Sequence, residues 1–238
     1  MRILEGEKVS KYFGGLAAVS NVDFHIDEGE IFGLIGPNGA GKTTLFNLVS
    51  GALDLKSGVI KFRSEEISGL SPYQICRRGI ARTFQSVKIF PNMSVRENVL
   101  LGDLFGNPQS GTWVADRSVD ELLDFVGLSG MGTVPAGDLT LVNQKRLEVA
   151  AALSAKPELV MLDELMAGLT STETAETMEL VADIRRRGIT VLIIEHVMKA
   201  VMGVCDRVMV LHHGEKLAEG TPQEISTSKR VIEVYLGE

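Results

Sequence analysis

The chain has 238 residues, 45% of them hydrophobic and 23% charged, enough apolar material to bury a core as one large domain or two small ones. Its net charge of −7 repels a phosphate backbone and argues against a primary nucleic-acid binder. No apolar run approaches the ~20 residues that cross a bilayer, and the first residues lack the apolar stretch of a secretory signal.

Short β-branched and apolar runs recur at residues 22–26, 31–35, 59–62, 159–162, 190–194 and 207–211, and their brevity predicts strands. Amphipathic segments at 118–126, 144–155 and 172–187 predict helices. The alternation of the two predicts an α/β protein with a largely parallel sheet. Residues 86 to about 156 break that rhythm and read as a helical insertion. Thr221-Pro222-Gln223-Glu224 carries a cap, a first-position proline and a third-position acid, so a C-terminal helix is expected from there roughly to Leu236. Cys76 and Cys205 lie far apart without metal-ligand spacing and read as free thiols of a reducing compartment.

Gly36-Pro37-Asn38-Gly39-Ala40-Gly41-Lys42-Thr43-Thr44 fits the phosphate-loop pattern G-x-x-x-x-G-K-[ST]. It follows a predicted strand and precedes the helix-like 44–49, the context the motif requires. Glycines let successive backbone N–H groups turn inward on an anion, and the helix N-terminus adds positive potential. Lys42 supplies a mobile charge for the β- and γ-phosphates and Thr43 a hydroxyl for Mg²⁺. The expected ligand is a nucleoside triphosphate.

Leu159-Val160-Met161-Leu162-Asp163-Glu164 is an apolar strand ending in two acids. Such an ending is ordinarily a solvated strand exit. Downstream of a phosphate loop, Asp163 can hold Mg²⁺ through water and Glu164 can orient or activate the attacking water. Val191-Leu192-Ile193-Ile194-Glu195-His196 is a second buried strand, one helix later, which places it next door in a parallel sheet. His196 is then within reach of a γ-phosphate, although a lone histidine is more often structural.

Together these pieces resemble the nucleotide-binding subunit of ABC transporters. Ala81-Arg82-Thr83-Phe84-Gln85 looks like the family's glutamine loop, which implies that Gln85 touches Mg²⁺ and the attacking water and senses the membrane subunit. Lys11-Tyr12-Phe13-Gly14 looks like the loop whose aromatic stacks on adenine, with Phe13 at the stacking position; an aromatic packed in an edge strand is the plainer alternative. Phe13-Gly14-Gly15-Leu16-Ala17-Ala18-Val19, the run from Arg82 to Gln85 into Asn92-Met93-Ser94-Val95-Arg96-Glu97-Asn98-Val99, Ile194-Glu195-His196-Val197-Met198-Lys199 and the ending Tyr235-Leu236-Gly237-Glu238 are similar to ATPases of branched-chain amino-acid importers.

The resemblance spans the chain and implies a single nucleotide-binding domain. Its P-loop NTPase (RecA-like) core would have a parallel-rich sheet over residues 1–85 and 157–238. An antiparallel N-terminal sheet and a helical subdomain over 86–156 would complete it. The implied cofactors are ATP and Mg²⁺. The implied partners are a second ABC ATPase subunit, transmembrane permease subunits and, indirectly, a solute-binding protein, with no nucleic acid. The chain would sit peripherally on the cytoplasmic face of the membrane. Relatives that energise uptake of urea or short amides, and ABC ATPases outside transport, remain alternatives. A small-molecule kinase would leave Gln85 and His196 unexplained.

The sequence departs from the family where the signature Leu-Ser-Gly-Gly-Gln should stand. Leu139-Thr140-Leu141-Val142-Asn143 puts Leu141 and Val142 at the glycine positions, before an expected helix at 144–155. Val142 would be strained if the backbone there had positive φ. Leu165 replaces a usual proline, and Thr170 stands where Asp or Asn is common. With the phosphate loop, Asp163, Glu164 and His196 all present, the expectation is an asymmetric heterodimer in which this chain's signature serves a slow or silent partner site.

Overall fold

In the computed structural model, residues 1–108 and 118–236 are described. Residues 109–117 of the expected insertion, and Gly237 and Glu238 of the matched ending, lie outside that range.

Two long strands, β1 (Arg2–Phe13) and β2 (Leu16–Asp27), form an antiparallel hairpin closed by Gly14 and Gly15, with Gly14 at φ 58°. With β4 (Ser57–Phe62) and β5 (Glu65–Glu66) they make a four-stranded sheet in the order β2-β1-β4-β5. The sequence showed only the 22–26 part of this hairpin. Register shifts interrupt the alternation of β1 against β2, and Lys8 and Asn21 adopt positive φ inside the strands, so period-two patterning is lost there.

A second sheet carries the core. Its order is β10 (Glu215–Gly220), β9 (Arg207–His212), β3 (Ile31–Ile35), β8 (Thr190–Ile194), β7 (Leu159–Asp163) and β6 (Ile80–Arg82). All neighbours are parallel except the β9–β10 edge pair. Every residue of β3, β7 and β8 is buried, as a sheet covered on both faces requires. Successive residues feed opposite cores. Val160, Leu162, Val191 and Ile193 pack toward the helices, whereas Leu159, Met161, Leu192 and Ile194 pack toward the antiparallel sheet.

The helices begin with α1 (Lys42–Val49) and α2 (Pro72–Arg77). Between β6 and β7 the described helices are α3 (Val95–Phe105), α4 (Val119–Phe125) and α5 (Leu141–Ser154), with a 3-10 turn at Ala136–Asp138. The chain ends in α6 (Ser171–Arg186), α7 (Met198–Val204), α8 (Pro222–Thr227) and α9 (Lys229–Leu236). Ser–Glu or Thr–Glu capping boxes open α3, α4, α6 and α8. The C-terminal helix expected as one piece is two, because Ser228 takes an extended conformation between α8 and α9.

Candidate active site

The segment from β3 to α1 wraps into a loop that only glycine can follow at two points. At Gly36, φ 150°, a β-carbon would lie 2.2 Å from the Leu211 carbonyl; at Gly41, φ 104°, it would lie 2.3 Å from that of Ala18. The buried Lys42 folds back so that Nζ donates to the carbonyls of Gly36 at 2.7 Å and Pro37 at 3.0 Å. Burial lowers the Lys42 pKa, opposed by the negative charges of Glu164 and Asp163.

A cavity of about 430 Å³ opens over this loop. Asn38, Gly39, Ala40, Gly41, Lys42, Thr43 and Thr44 line it, as do Phe13, Gln85, Glu164 and His196. Gly36 and Pro37 stand behind it as acceptors for Lys42. Phe13 reaches the cavity because it sits at the tip of the β1–β2 hairpin. It is half exposed rather than packed in an edge-strand core, with Lys11 Nζ 5.6 Å from its ring centre.

The two acids diverge. Asp163 ends β7 only 3% exposed, and its backbone N–H donates to Thr83 Oγ1 at 3.1 Å. Burial raises its pKa, and the Arg82 guanidinium, 3.6 Å from Oδ2, pulls it back down. Arg82 is held for that task by Asn47 and Ser50, each at 2.8 Å, and lies over the rings of Phe46 and Phe84. Asp163 Oδ1 is buried with no hydrogen-bond partner.

Glu164 follows at φ 50°, a left-handed conformation that a non-glycine residue adopts at a cost of about 1–3 kcal/mol. Its backbone N–H donates to the Ile194 carbonyl at 2.9 Å, holding the turn against the end of β8. There Asp163 pairs with Ile194 in register, which puts His196 beside Glu164. The imidazole Nε2 meets Glu164 Oε1. Gln85 Nε2 donates to the other oxygen, Oε2, at 2.9 Å.

Three charged side chains that sequence reasoning did not single out support these groups. Lys145 of α5, 6% exposed, donates to the carbonyls of Glu164 at 3.1 Å, Leu165 at 2.9 Å and Ala167 at 2.7 Å. Glu148, one helical turn on and 5% exposed, accepts from the backbone N–H groups of Phe84 at 3.2 Å and Lys88 at 3.0 Å. Burial pushes Glu148 up to about 7. Glu195 Oε1 accepts from Met166 N at 2.7 Å. Their only sequence signal is an ionisable residue at a position that helix or strand periodicity makes internal.

Leu141 and Val142 are not in a strained loop. They form the first turn of α5, which begins three residues earlier than the expected 144, and no residue of that turn has positive φ. Thr140 is the N-cap, accepting from Asn143 N at 3.5 Å. Leu141 is half exposed, and a β-carbon at Gly168 would lie 3.6 Å from its Cδ2. Leu165 is buried and Thr170 caps α6, so both have local packing or capping roles.

A phosphate loop between a parallel strand and a helix, with an acid-tipped strand and a histidine-tipped strand beside it, defines a P-loop nucleoside triphosphatase. The family profile described as "ABC transporter" matches residues 19–167, and one described as "Branched-chain amino acid ATP-binding cassette transporter" matches residues 215–238. The chain is 42% identical to the high-affinity branched-chain amino acid transport ATP-binding protein LivG of Escherichia coli (strain K12), over 95% of this chain and 94% of that one. It is 39% identical to BraF of Pseudomonas aeruginosa, described in the same terms, over 99% and 98%. The crystal structure of the ADP conformation of MJ1267, an ATP-binding cassette of an ABC transporter, superposes with a TM-score of 0.89 at 30% identity, covering 100% of both chains. The chain therefore belongs to the ABC transporter family, as an ATP-hydrolysing, ATP-binding subunit.

Proposed function

We propose that this chain drives an importer of branched-chain or related amino acids, from the cytoplasmic face of the membrane, as one half of an asymmetric ATPase heterodimer. The observation that carries the catalytic part is the meeting of Gln85, Glu164 and His196 over the loop that holds Lys42. Phe13 stacks on the adenine. The loop of residues 36–44 and Lys42 cradle the phosphates. Glu164, steadied from both oxygens, orients the attacking water, and His196 lies against the γ-phosphate. Rate enhancement comes from positioning and electrostatics rather than covalent chemistry.

The residues present fit a Mg²⁺ ion. Asp163 Oδ1 is a buried oxygen lacking a partner, and Gln85 commits its nitrogen to Glu164, leaving the amide oxygen, its only ligating atom. Thr43 would add a hydroxyl. Among the described residues no group of three His, Cys, Asp or Glu side chains could hold a metal alone, as suits an ion shared with substrate phosphates. When bound, Mg²⁺ neutralises charge on the β- and γ-phosphates.

Among the described residues no helix is long and apolar enough to cross a membrane. The relatives' description as transport ATP-binding proteins supports work alongside membrane-spanning permease subunits. They would dock in a cavity of about 470 Å³ between the core and the α3–α5 layer, where Tyr73, Phe84, Phe90 and Phe105 are each more than 40% exposed. The solute reaches that permease from a binding protein and never touches this chain. The amino-acid assignment rests on the relatives' own description.

The test is ATP hydrolysis by the purified chain across a range of concentrations, with Mg-ATP binding measured in parallel. Binding with negligible turnover at every concentration, restored by the second ATPase subunit, supports the asymmetric heterodimer. A rate per chain that rises steeply with concentration indicates productive homodimers and removes it.

A further inference from the structure

Helix α5 does two things at once. Its first turn is the signature position, and its buried face carries Lys145 and Glu148, three residues apart and therefore on one side. Lys145 gathers three carbonyls of the segment that starts at Glu164. Glu148 gathers two amides of the segment that contains Gln85. Gln85 and Glu164 bond to each other at 2.9 Å, which closes the circuit: α5, the Glu164 turn, the Gln85 loop and back to α5.

The chemistry of the two ties is complementary. An ammonium has three donors and no acceptor, and Lys145 directs its donors at backbone oxygens of a turn whose first residue is in a left-handed conformation. A carboxylate only accepts, and Glu148 satisfies amides of a loop outside regular structure. A hydrogen bond in a poorly solvated setting is stronger than one in water, so the Lys145 and Glu148 ties hold both loops against the helix.

We propose that Lys145 and Glu148 are positioning residues that carry a displacement of the signature turn, made by nucleotide bound on the second subunit, to Glu164 and Gln85 of this chain's own site. The inference rests on the dimer reading above. In it, nucleotide held by the partner's phosphate loop lies against the N-terminus of α5, and occupancy of one site sets the geometry of the other. The tie is electrostatic and specific to these two side chains. It is separate from the contacts that bind ATP, since neither residue lines the nucleotide cavity.

The test uses the assembled transporter with Lys42→Ala in this chain, so that Mg-ATP loads only the second subunit's phosphate loop. Amide hydrogen exchange is then followed in this chain with and without Mg-ATP. Expected is slowing by at least about fivefold at 141–143, at 84–88 and at 164–167. Adding Lys145→Met or Glu148→Met, which removes the donor or the acceptor of each tie, should leave the slowing at 141–143 and abolish it in the loop that each residue holds. A merely structural role would change exchange equally with and without nucleotide. Slowing at 141–143 alone in the Lys42→Ala complex, or slowing of both loops that survives the two substitutions, overturns the proposal while leaving the dimer reading intact. No response at 141–143, with Mg-ATP bound to the second subunit, overturns the dimer reading and the proposal with it.

Discussion

Gln85 and Glu164 are 79 residues apart in sequence, yet the Gln85 amide donates to the Glu164 carboxylate across 2.9 Å, with His196 on the other oxygen of the same carboxylate. Both oxygens of Glu164 are thus oriented by this chain's own side chains. Three different strand exits supply the three groups: Gln85 follows β6, Glu164 follows β7 and His196 follows β8. These strands are neighbours in the parallel sheet, so the convergence follows from strand order.

His196→Ala should lower turnover about 10- to 100-fold while leaving Mg-ATP affinity within about threefold, because it removes the side chain that holds Glu164 Oε1 rather than one of the loop groups that grip phosphate. Steady-state hydrolysis alongside equilibrium nucleotide binding separates the two. Equal losses in both would place His196 in binding.

Glu148 predicts a pH-dependent stability. Burial raises its pKa from an ordinary 4.5 to about 7, so the folded chain holds this proton more tightly than the unfolded one. The associated stability is complete below about pH 4.5 and is lost as pH rises to about 7. Relative to Glu148→Gln, the parent chain should lose about 2–3 kcal/mol between about pH 5 and about pH 8, measured by urea unfolding. A gap independent of pH would mean that Glu148 is not held in a desolvated site.

Glycine at both Leu141 and Val142 should raise turnover at the partner's site at least about tenfold in the assembled transporter, since a first turn of α5 without these side chains gives a phosphate closer approach to its backbone N–H groups. The same change should destabilise the helix by about 1–2 kcal/mol. Rates per site that stay unchanged would show that Leu141 and Val142 are tolerated.

The site's front was legible because its information is local. The phosphate loop is one contiguous run, and the acid and histidine strands announce themselves by apolar stretches that end in charge. Its supports were not legible. Lys145 reaches carbonyls 19 to 22 residues away and Glu148 reaches amides 60 and 64 residues away, distances at which no spacing rule operates. Arg82 belongs to the glutamine-loop run, but its contacts with Asn47, Ser50 and Asp163 depend on the sheet. The start of α5 is hidden in the sequence because Leu141 and Val142 align with the signature's glycine positions ahead of the expected helix, whereas the Thr140 cap extends the helix over them. Positive φ at Lys8 and Asn21 hid most of β1 and β2 in the same way, by breaking a period that otherwise marks a strand.

The central claim is that Glu164 performs the hydrolytic step and Lys42 the binding step, and Glu164→Gln in the assembled transporter tests it most directly. The amide keeps the size of the side chain and loses its charge. Turnover at this chain's site should fall at least about 100-fold while Mg-ATP binds as tightly as before, with the ATPase subunits trapped in the closed pair. Hydrolysis within about threefold of the parent rate would contradict the claim and remove Glu164 from the chemistry.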